Sequence, residues 1–161
     1  MEAQFFPKGL DFFQEAHDHA DGGPVHLVLL TQLFDLTQAR DGIFVEVPGA
    51  LEIPQALGKA VEAGAMTTAS KQGRYSGVVV LGCVIRGETS HYDIVCNNAN
   101  HWMMDVAMRH GIPLGNAILT VDTHEQAMVR ASGGRKGKGA DAARACLRLV
   151  EIATQFSELE T

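Results

Sequence analysis

A short apolar run that ends at a glycine turn constrains the fold of this chain most strongly. Residues 78–85 read VVVLGCVI, and a continuous aliphatic run of this length is typical of a strand that is buried on both faces, as in a parallel sheet. The run stops at Arg86 and the following glycine, which permits backbone geometry that other residues resist. Thr89 or Ser90 can then cap a helix, and Ser90 with Asp93 fits a capping box. The stretch therefore predicts a buried strand, a glycine turn and the start of a helix.

His91 falls in the first turn of this predicted helix. The free backbone N–H groups and the positive end of the helix dipole at that position suit a phosphate or a carboxylate. An imidazole beside them can move protons near neutral pH. The stretch is thus a candidate site for proton transfer on an anionic substrate. An ordinary strand–turn–helix connection with an incidental histidine is the competing interpretation.

Strands and helices alternate along most of the chain, which predicts a parallel sheet covered by helices on both faces. Further strands are expected at 43–47 and 117–121, and further helices at 10–20, from Pro54, from Asp122 or Thr123 to Arg130, and at 140–156. The central helix should end at Gly111. The apolar segment 25–34 is either a buried strand or the beginning of a helix that continues to Arg40, and periodicity leaves both open.

Ligands bind at the carboxyl ends of the strands in sheets of this kind. We therefore expect residues 48–52 and 86–91, together with the loop before Asn116, along one rim of the sheet. From the residues alone, Glu52 is a partner for a helix dipole and nothing more.

Composition excludes several classes of function. The 161 residues are most simply one domain with its own core. A formal net charge of -6 argues against a general nucleic-acid binder. No apolar run reaches the about 20 residues that span a bilayer, and the first residues lack a signal-peptide pattern. The three cysteines, Cys83, Cys96 and Cys146, form no Cys-x-x-Cys pair, which favours reduced thiols in a cytoplasmic protein over disulfides or a zinc site.

Two other clusters contain the residue types of a metal site or of a nucleotide-binding loop, but not the spacing that such sites need. His17, His19 and His26 form no HExxH or cysteine-paired pattern, so a solvated helix end is favoured over a metal site. The glycine-rich basic loop 133–139 departs from a Walker A sequence, which argues against a nucleoside triphosphate. Lys138, with Arg130 upstream, can still hold a single phosphate. A solvated basic loop is the competing interpretation.

Three blocks of the sequence resemble the signature blocks of the 6,7-dimethyl-8-ribityllumazine synthase family. They are 47–54 (VPGALEIP), 81–93 (LGCVIRGETSHYD) and 118–127 (ILTVDTHEQA), in the family's order and at similar spacing. The resemblance covers residues 43–155. It implies one domain over residues 1–161, of which 1–42 are atypical. The implied fold is α/β, a three-layer α/β/α sandwich around a mainly parallel, flavodoxin-like, four-stranded sheet.

The resemblance implies a transferase of riboflavin biosynthesis that needs neither a cofactor nor a metal. It would condense 5-amino-6-(D-ribitylamino)uracil with 3,4-dihydroxy-2-butanone 4-phosphate, with loss of phosphate and water. Its partners would be these substrates and further copies of itself, as a pentamer or a multiple of one, without nucleic acid or membrane. The alternative is a non-catalytic scaffold of the same fold that binds a ribityl-pteridine or a flavin.

The resemblance also implies roles for individual residues. His91 would transfer protons, and Glu88 and Thr89 would hold the butanone phosphate through the helix N-terminus. Arg130 and Lys138 would reach that phosphate from across a subunit boundary. The pyrimidine and ribityl pocket would be lined by Ala50, Leu51, Glu52, Cys83, Val84 and Ile85.

Two parts of the chain depart from the family's pattern. Asn116 stands where many relatives carry an aromatic residue beside the pyrimidine. The family also has a first strand that ends in a phenylalanine stacked on the pyrimidine, followed by a full helix. Either Phe5, which lacks the strand, or Phe34, which leaves too short a connection for a parallel crossover, resembles that phenylalanine. Both remain open, and the first strand or its helix is expected to be abnormal.

Overall fold

The computed structural model describes residues 42–132 and 137–159, together with the backbone of 25–30. One sheet contains β1 (Val25–Leu30), β2 (Gly42–Val47), β3 (Gly77–Ile85) and β4 (Leu114–Val121), in the order β2-β1-β3-β4. The helices are α1 (Ile53–Glu62), α2 (His91–His110), α3 (His124–Ala131) and α4 (Lys138–Glu158), and a 3-10 turn Ala50–Glu52 precedes α1. The predicted α/β class is confirmed.

Strand β3 is the centre of the core because its apolar run is buried from both sides. Val78 and Val80 belong to a cluster shared with α1 and α2. Val79 and Leu81 belong to a second cluster, shared with Cys146 and neighbouring alanines of α4. Successive side chains of a strand point to opposite faces, so α2 and α4 lie on opposite sides of β3. The prediction of a strand buried on both faces is confirmed.

Most of the other predicted elements are present, with small differences at their ends. The segment 25–34 contains a strand over Val25–Leu30, while the rest of it and the predicted helix 10–20 lie outside the described residues. Strand β4 begins earlier than predicted because Leu114 already pairs with Val78. Helix α2 ends as predicted at Gly111, whose φ of 66° is the left-handed conformation that glycine adopts readily.

The prediction of a mainly parallel sheet is confirmed in part: of the four described strands, β2, β3 and β4 run in the same direction and β1 is reversed. Strands β3 and β4 are parallel, but β1 runs antiparallel to both β2 and β3. The connection from β1 to β2 covers only residues 31–41, whereas a parallel crossover usually needs a dozen or more residues and an antiparallel pair needs far fewer. As a result Leu30, the last residue of β1, pairs with Gly42 and Gly77 at the amino ends of its neighbours.

Helix α4 lies directly on β3 and β4 because two glycines leave room for it. A Cβ atom on Gly115 would collide with the backbone of Ala142, and one on Gly77 would lie 2.6 Å from Cys146 Sγ. Cys146 is fully buried there, with its sulfur 3.5 Å from the carbonyl oxygen of Pro113. Burial raises the pKa of the Cys146 thiol to about 11. Within the described ranges, no helix is long and apolar enough to cross a membrane.

Candidate active site

The connection between β3 and α2 carries the residues that the sequence singles out, and it is open to solvent. Residues 86–91 are all exposed, and His91 is the first residue of α2. Ser90 stands at the N-cap position, but its side chain makes no capping hydrogen bond. The predicted capping box of Ser90 and Asp93 is therefore wrong, because the Asp93 carboxylate pairs with Arg86 at 3.2 Å instead. The Thr89 hydroxyl accepts from the backbone N–H of His91 at 3.4 Å, so among the described residues the start of α2 has only this one long side-chain bond, and the positive end of its dipole faces solvent.

Gly87 does not have the special backbone geometry that the sequence suggested. Among the described glycines, only Gly64 and Gly111 have a positive φ. A Cβ atom added to Gly87 would meet nothing within 4 Å. The connection is therefore a bend that alanine could also form, and glycine is not required there by the conformation of the chain.

The 3-10 turn Ala50–Glu52 lies beside this connection. It packs against α2 and β3, with Ala50 and Leu51 in the cluster that contains Val84. Glu52 is half-buried, and its side chain folds back toward Gly49. A Cβ atom added to Gly49 would lie 3.0 Å from Glu52 Oε2. The structure therefore brings the three predicted segments, 50–52, 83–85 and 88–91, to the same rim of the sheet.

Cys83 lies on this rim and is half-buried. Burial raises the pKa of its thiol above the ordinary value of 9.0. A thiol with a raised pKa stays protonated near neutral pH and is a poor nucleophile. We therefore interpret Cys83 as a lining group of the site and not as a reactive one.

Arg86 lies at this rim, although no motif in the sequence indicates a role for it. Its guanidinium bonds Asp93 at 3.2 Å and Asp122 at 3.1 Å, and its Cζ atom lies 4.0 Å from the centre of the Tyr92 ring. The hydrogen bond to Asp93 is the main cause that raises the pKa of Arg86 further. The signal in the sequence was an arginine between a buried strand and a helix, with an aspartate in the first turn of that helix. The partner Asp122 is distant in sequence and could not be identified from that pattern.

The two cations expected at the phosphate do not join His91 within one chain. Lys138 begins α4, on the side of β3 opposite to α2, and its Nζ lies 3.2 Å from Asp141. Hydrogen bonds from Arg144 and then from Lys138 lower the pKa of Asp141. Arg130 is exposed near the end of α3 and donates to the carbonyl of Gln126 at 3.3 Å. In the described part of the chain, neither cation bonds to the connection 86–91.

Asn116 lies away from the rim, contrary to the prediction for the loop before it. Strand β4 begins at Leu114 and runs parallel to β3, so this loop lies at the amino end of the sheet. Asn116 pairs with Val80. It lies five positions before Val121, the last residue of β4, and is therefore about 17 Å from the rim along the strand. Its amide nitrogen donates to Asn100 Oδ1 at 2.6 Å, and its oxygen accepts from the backbone N–H of residue 118 at 2.9 Å.

Phe5 and Phe34 both lie outside the described residues, so the structure does not choose between them. His17 and His19 also lie outside, and only the backbone of His26 is described. In the parts of the chain that are described, no group of three or more His, Cys, Asp or Glu residues could hold a metal ion. The described residues define an α/β protein with an exposed rim at the carboxyl ends of two parallel strands, where His91 begins a helix.

Comparison with known proteins identifies the family. The profile of the 6,7-dimethyl-8-ribityllumazine synthase family matches residues 29–154, and the chain belongs to this family. Similar proteins named 6,7-dimethyl-8-ribityllumazine synthase include one from Methylorubrum populi, 50% identical over 106 residues that make up 66% of this chain and 60% of the relative. One from Azorhizobium caulinodans is 49% identical over 108 residues, 67% of this chain and 64% of the relative. One from Rhodopseudomonas palustris is 44% identical over 115 residues, 71% of this chain and 68% of the relative.

These matches do not cover the relatives completely. The aligned part of the chain spans 60% of the Methylorubrum protein and 64% of the Azorhizobium protein. The family profile begins at residue 29, inside β1, and covers β2, β3, β4 and the helices that follow them up to residue 154.

Proposed function

We propose that this chain is a 6,7-dimethyl-8-ribityllumazine synthase of riboflavin biosynthesis, formed by one domain and acting in the cytoplasm. It condenses 5-amino-6-(D-ribitylamino)uracil with 3,4-dihydroxy-2-butanone 4-phosphate and releases phosphate and water. The observation that carries the proposal is His91 at the first position of an exposed helix whose N-cap residue, Ser90, makes no capping bond, beside the turn Ala50–Glu52. The names of the relatives support the same activity.

The start of α2 holds the phosphate of the butanone substrate in this proposal. Backbone N–H groups and the helix dipole favour an anion at that end, and Glu88 and Thr89 lie in the exposed connection just before it. Phosphate must also leave during the reaction. Positive charge placed where the leaving anion develops lowers the barrier to that step.

His91 gives and takes protons as the amino group of the pyrimidine forms an imine with the ketone and water is lost. A positioned imidazole contributes typically 10²–10⁴-fold to such steps. The pyrimidine and its ribityl chain lie between the turn Ala50–Glu52 and the end of β3 at Cys83–Ile85, which pack together on the rim. Holding both substrates in one place supplies much of the remaining rate.

The complete site requires a second subunit in this proposal. Lys138 and α2 are on opposite sides of β3, so the Lys138 of one chain serves the phosphate at the His91 of another. Arg130 acts in the same way, and Asn116, also far from its own rim, faces a neighbour's pyrimidine. We propose a homo-oligomer, a pentamer or a multiple of it, built from three-layer α/β/α subunits. The aromatic residue that stacks on the pyrimidine is Phe5 or Phe34.

The direct test mixes the purified protein with both substrates and follows the absorbance of the lumazine and the release of inorganic phosphate. We expect both signals in equal amounts. The native mass, measured on the same sample, should correspond to five subunits or a multiple of five. Absence of product at high protein concentration would overturn the proposed activity.

A second candidate function is a scaffold of the same fold that binds a ribityl-pteridine or a flavin without turnover. The reversed β1 favours it, because the family pattern places an aromatic residue at the carboxyl end of a parallel first strand. Quenching of riboflavin fluorescence by the protein, without any lumazine formed from the two substrates, would support this function over the synthase.

A further inference from the structure

The connection that carries His91 has little to hold it in place except polar contacts. All residues from 86 to 91 are exposed, and none of them belongs to a cluster of the core. The bend at Gly87 is not fixed by a special φ. A proton-transfer group must nevertheless keep its place, since a misplacement of about 1 Å can cost about 10²-fold in rate.

Arg86 contacts the end of β4, the residue that follows it and the first turn of α2. Its backbone N–H donates to the carbonyl oxygen of Val121 at 2.8 Å, which joins the ends of β3 and β4. Its Nε donates to Asp122, before α3, at 3.1 Å. Its two terminal nitrogens donate to the two oxygens of Asp93 at 3.2 and 3.4 Å, and the guanidinium lies over the ring of Tyr92.

These contacts restrain the two residues that directly follow His91. Each residue of an α-helix is rotated by about 100° from the previous one, so residues 92 and 93 point in clearly different directions. Restraint of both fixes the rotation of the first turn about the helix axis. The direction in which the Cβ atom of His91 projects is fixed with it.

We propose that Arg86 is the positioning residue of His91, and that it acts by clamping the first turn of α2 to the ends of β3 and β4. The inference rests on the proposed function, because His91 has a direction to keep only if it transfers protons in the site. A single exposed ion pair would be a weak basis for such a role. Arg86 has two carboxylate partners and an aromatic one, and the planar fork of a guanidinium can hold them at once where a lysine cannot.

The test is a double-mutant cycle with Arg86→Ala and His91→Ala, measured as the steady-state kinetics of lumazine formation. Arg86→Ala should lower kcat by about 10²-fold and change KM for either substrate only a few-fold. In the His91→Ala background, Arg86→Ala should cause little further loss, because groups that act as a unit are not additive. Arg86→Lys should recover only part of the loss. An equal loss in both backgrounds would overturn the proposal.

Arg109 offers a matched control at the other end of the same helix. It forms one ion pair, with Asp105 at 2.8 Å, and lies far from the rim. Arg109→Ala should leave kcat within about two-fold of the wild type, as expected for an exposed pair of little worth. A loss in Arg109→Ala as large as in Arg86→Ala would show that removal of any ion pair on α2 has this effect, and would overturn the positioning role.

Hydrogen exchange separates this inference from the proposed function. Arg86→Ala should speed the exchange of the amides of residues 92–95 at least about 10-fold and leave residues 103–107 unchanged, because only the first turn loses its anchor. If the wild type makes no lumazine, the proposed function fails, while this measurement still decides whether Arg86 holds the turn. Unchanged exchange at residues 92–95 would overturn the clamp whether or not the protein is active.

Discussion

Two strand-to-helix connections meet at the same rim of the sheet, and they are built differently. The ends of β3 and β4 are level, since Ile85 pairs with Val121, and each strand is followed by a helix whose first residue is a histidine. Helix α3 is capped by its own sequence. The Thr123 hydroxyl accepts from the N–H of Gln126 at 3.3 Å, and the Gln126 side chain accepts from the N–H of Asp122 at 2.9 Å.

Helix α2 has no such reciprocal cap. Its N-cap residue, Ser90, makes no side-chain cap, and Asp93, which could have completed one, bonds to Arg86. A self-capped helix has satisfied its own N–H groups and has less to offer a ligand. The difference teaches that, of two similar helix N-termini at one rim, the one without a reciprocal side-chain cap is the better candidate for an anion-binding site.

The largest expected effect comes from exchanging the two histidines for alanine in turn. His91→Ala should slow lumazine formation by about 10²–10⁴-fold, because the proton-transfer group is lost. His124→Ala, at the equivalent position of α3, should leave the rate within about two-fold. Steady-state assays with both substrates saturating measure the pair. Equal losses in both variants would mean that the two connections do not differ in function.

Two glycines sharpen the contrast between the open rim and the packed part of the sheet. Gly115→Ala should lower the free energy of unfolding by about 3 kcal/mol, because its Cβ atom would collide with the backbone of Ala142. Gly87→Ala should change it by less than about 0.5 kcal/mol, because nothing lies within reach of the added methyl group. Urea denaturation of both variants gives the comparison. A large loss in Gly87→Ala would show that the connection is more tightly constrained than its geometry indicates.

The pH dependence of stability compares two thiols in the same way, Cys83 at the exposed rim and Cys146 against the packed part of the sheet. Burial raises the pKa of Cys146 to about 11 from an ordinary 9.0. The folded protein therefore holds this proton more tightly than the unfolded chain, and the resulting stability is complete below about pH 9. It is lost as the pH rises toward 11, by about 2–3 kcal/mol.

The measurement is the difference in the free energy of unfolding between wild type and Cys146→Ala as a function of pH. This difference should shrink between pH 9 and 11, a window that follows from the two pKa values. The same subtraction with a Cys83→Ala variant serves as the control, because that thiol is only half-buried. A constant difference for Cys146→Ala would contradict the raised pKa.

The smallest effect tests the caps themselves. Thr123→Ala should destabilise the protein by about 1 kcal/mol, because the variant loses the cap of α3. Ser90→Ala should lower the free energy of unfolding by no more than about 0.3 kcal/mol, because the Ser90 side chain makes no capping bond. Thermal unfolding of the two variants measures both. Equal losses would indicate that the Ser90 hydroxyl caps α2 in solution.

The parts of the fold that depend on local pattern could be predicted from the sequence. The apolar run of β3 and the glycine after α2 gave that strand and the end of that helix, because burial and the left-handed φ of Gly111 leave direct marks in the sequence. The direction of β1 could not be obtained in this way. An apolar strand can pair with its neighbours in either direction, and the short connection 31–41 decided against the parallel one.

The site was predictable to a similar degree. The grouping of 50–52, 83–85 and 88–91 follows from the rule that carboxyl ends of parallel strands meet, and the structure agrees with it. The capping box failed because a tertiary partner, Arg86, competed successfully for Asp93. The loop before Asn116 was misplaced on the rim, because a loop that precedes a strand parallel to β3 lies at the amino end of the sheet, opposite to the rim.

The reversed strand has a consequence for how the sheet could be altered. Its backbone pairs with β2 over Val25–Leu30 and with β3 over His26–Leu30, and an apolar strand can pair with such neighbours in either direction. A helix-length insertion between Leu30 and Gly42 should therefore permit the topological isomer, with the same strand order and the interior strand inverted. One insertion or deletion could thus interconvert two architectures while every hydrogen-bonded segment keeps its sequence.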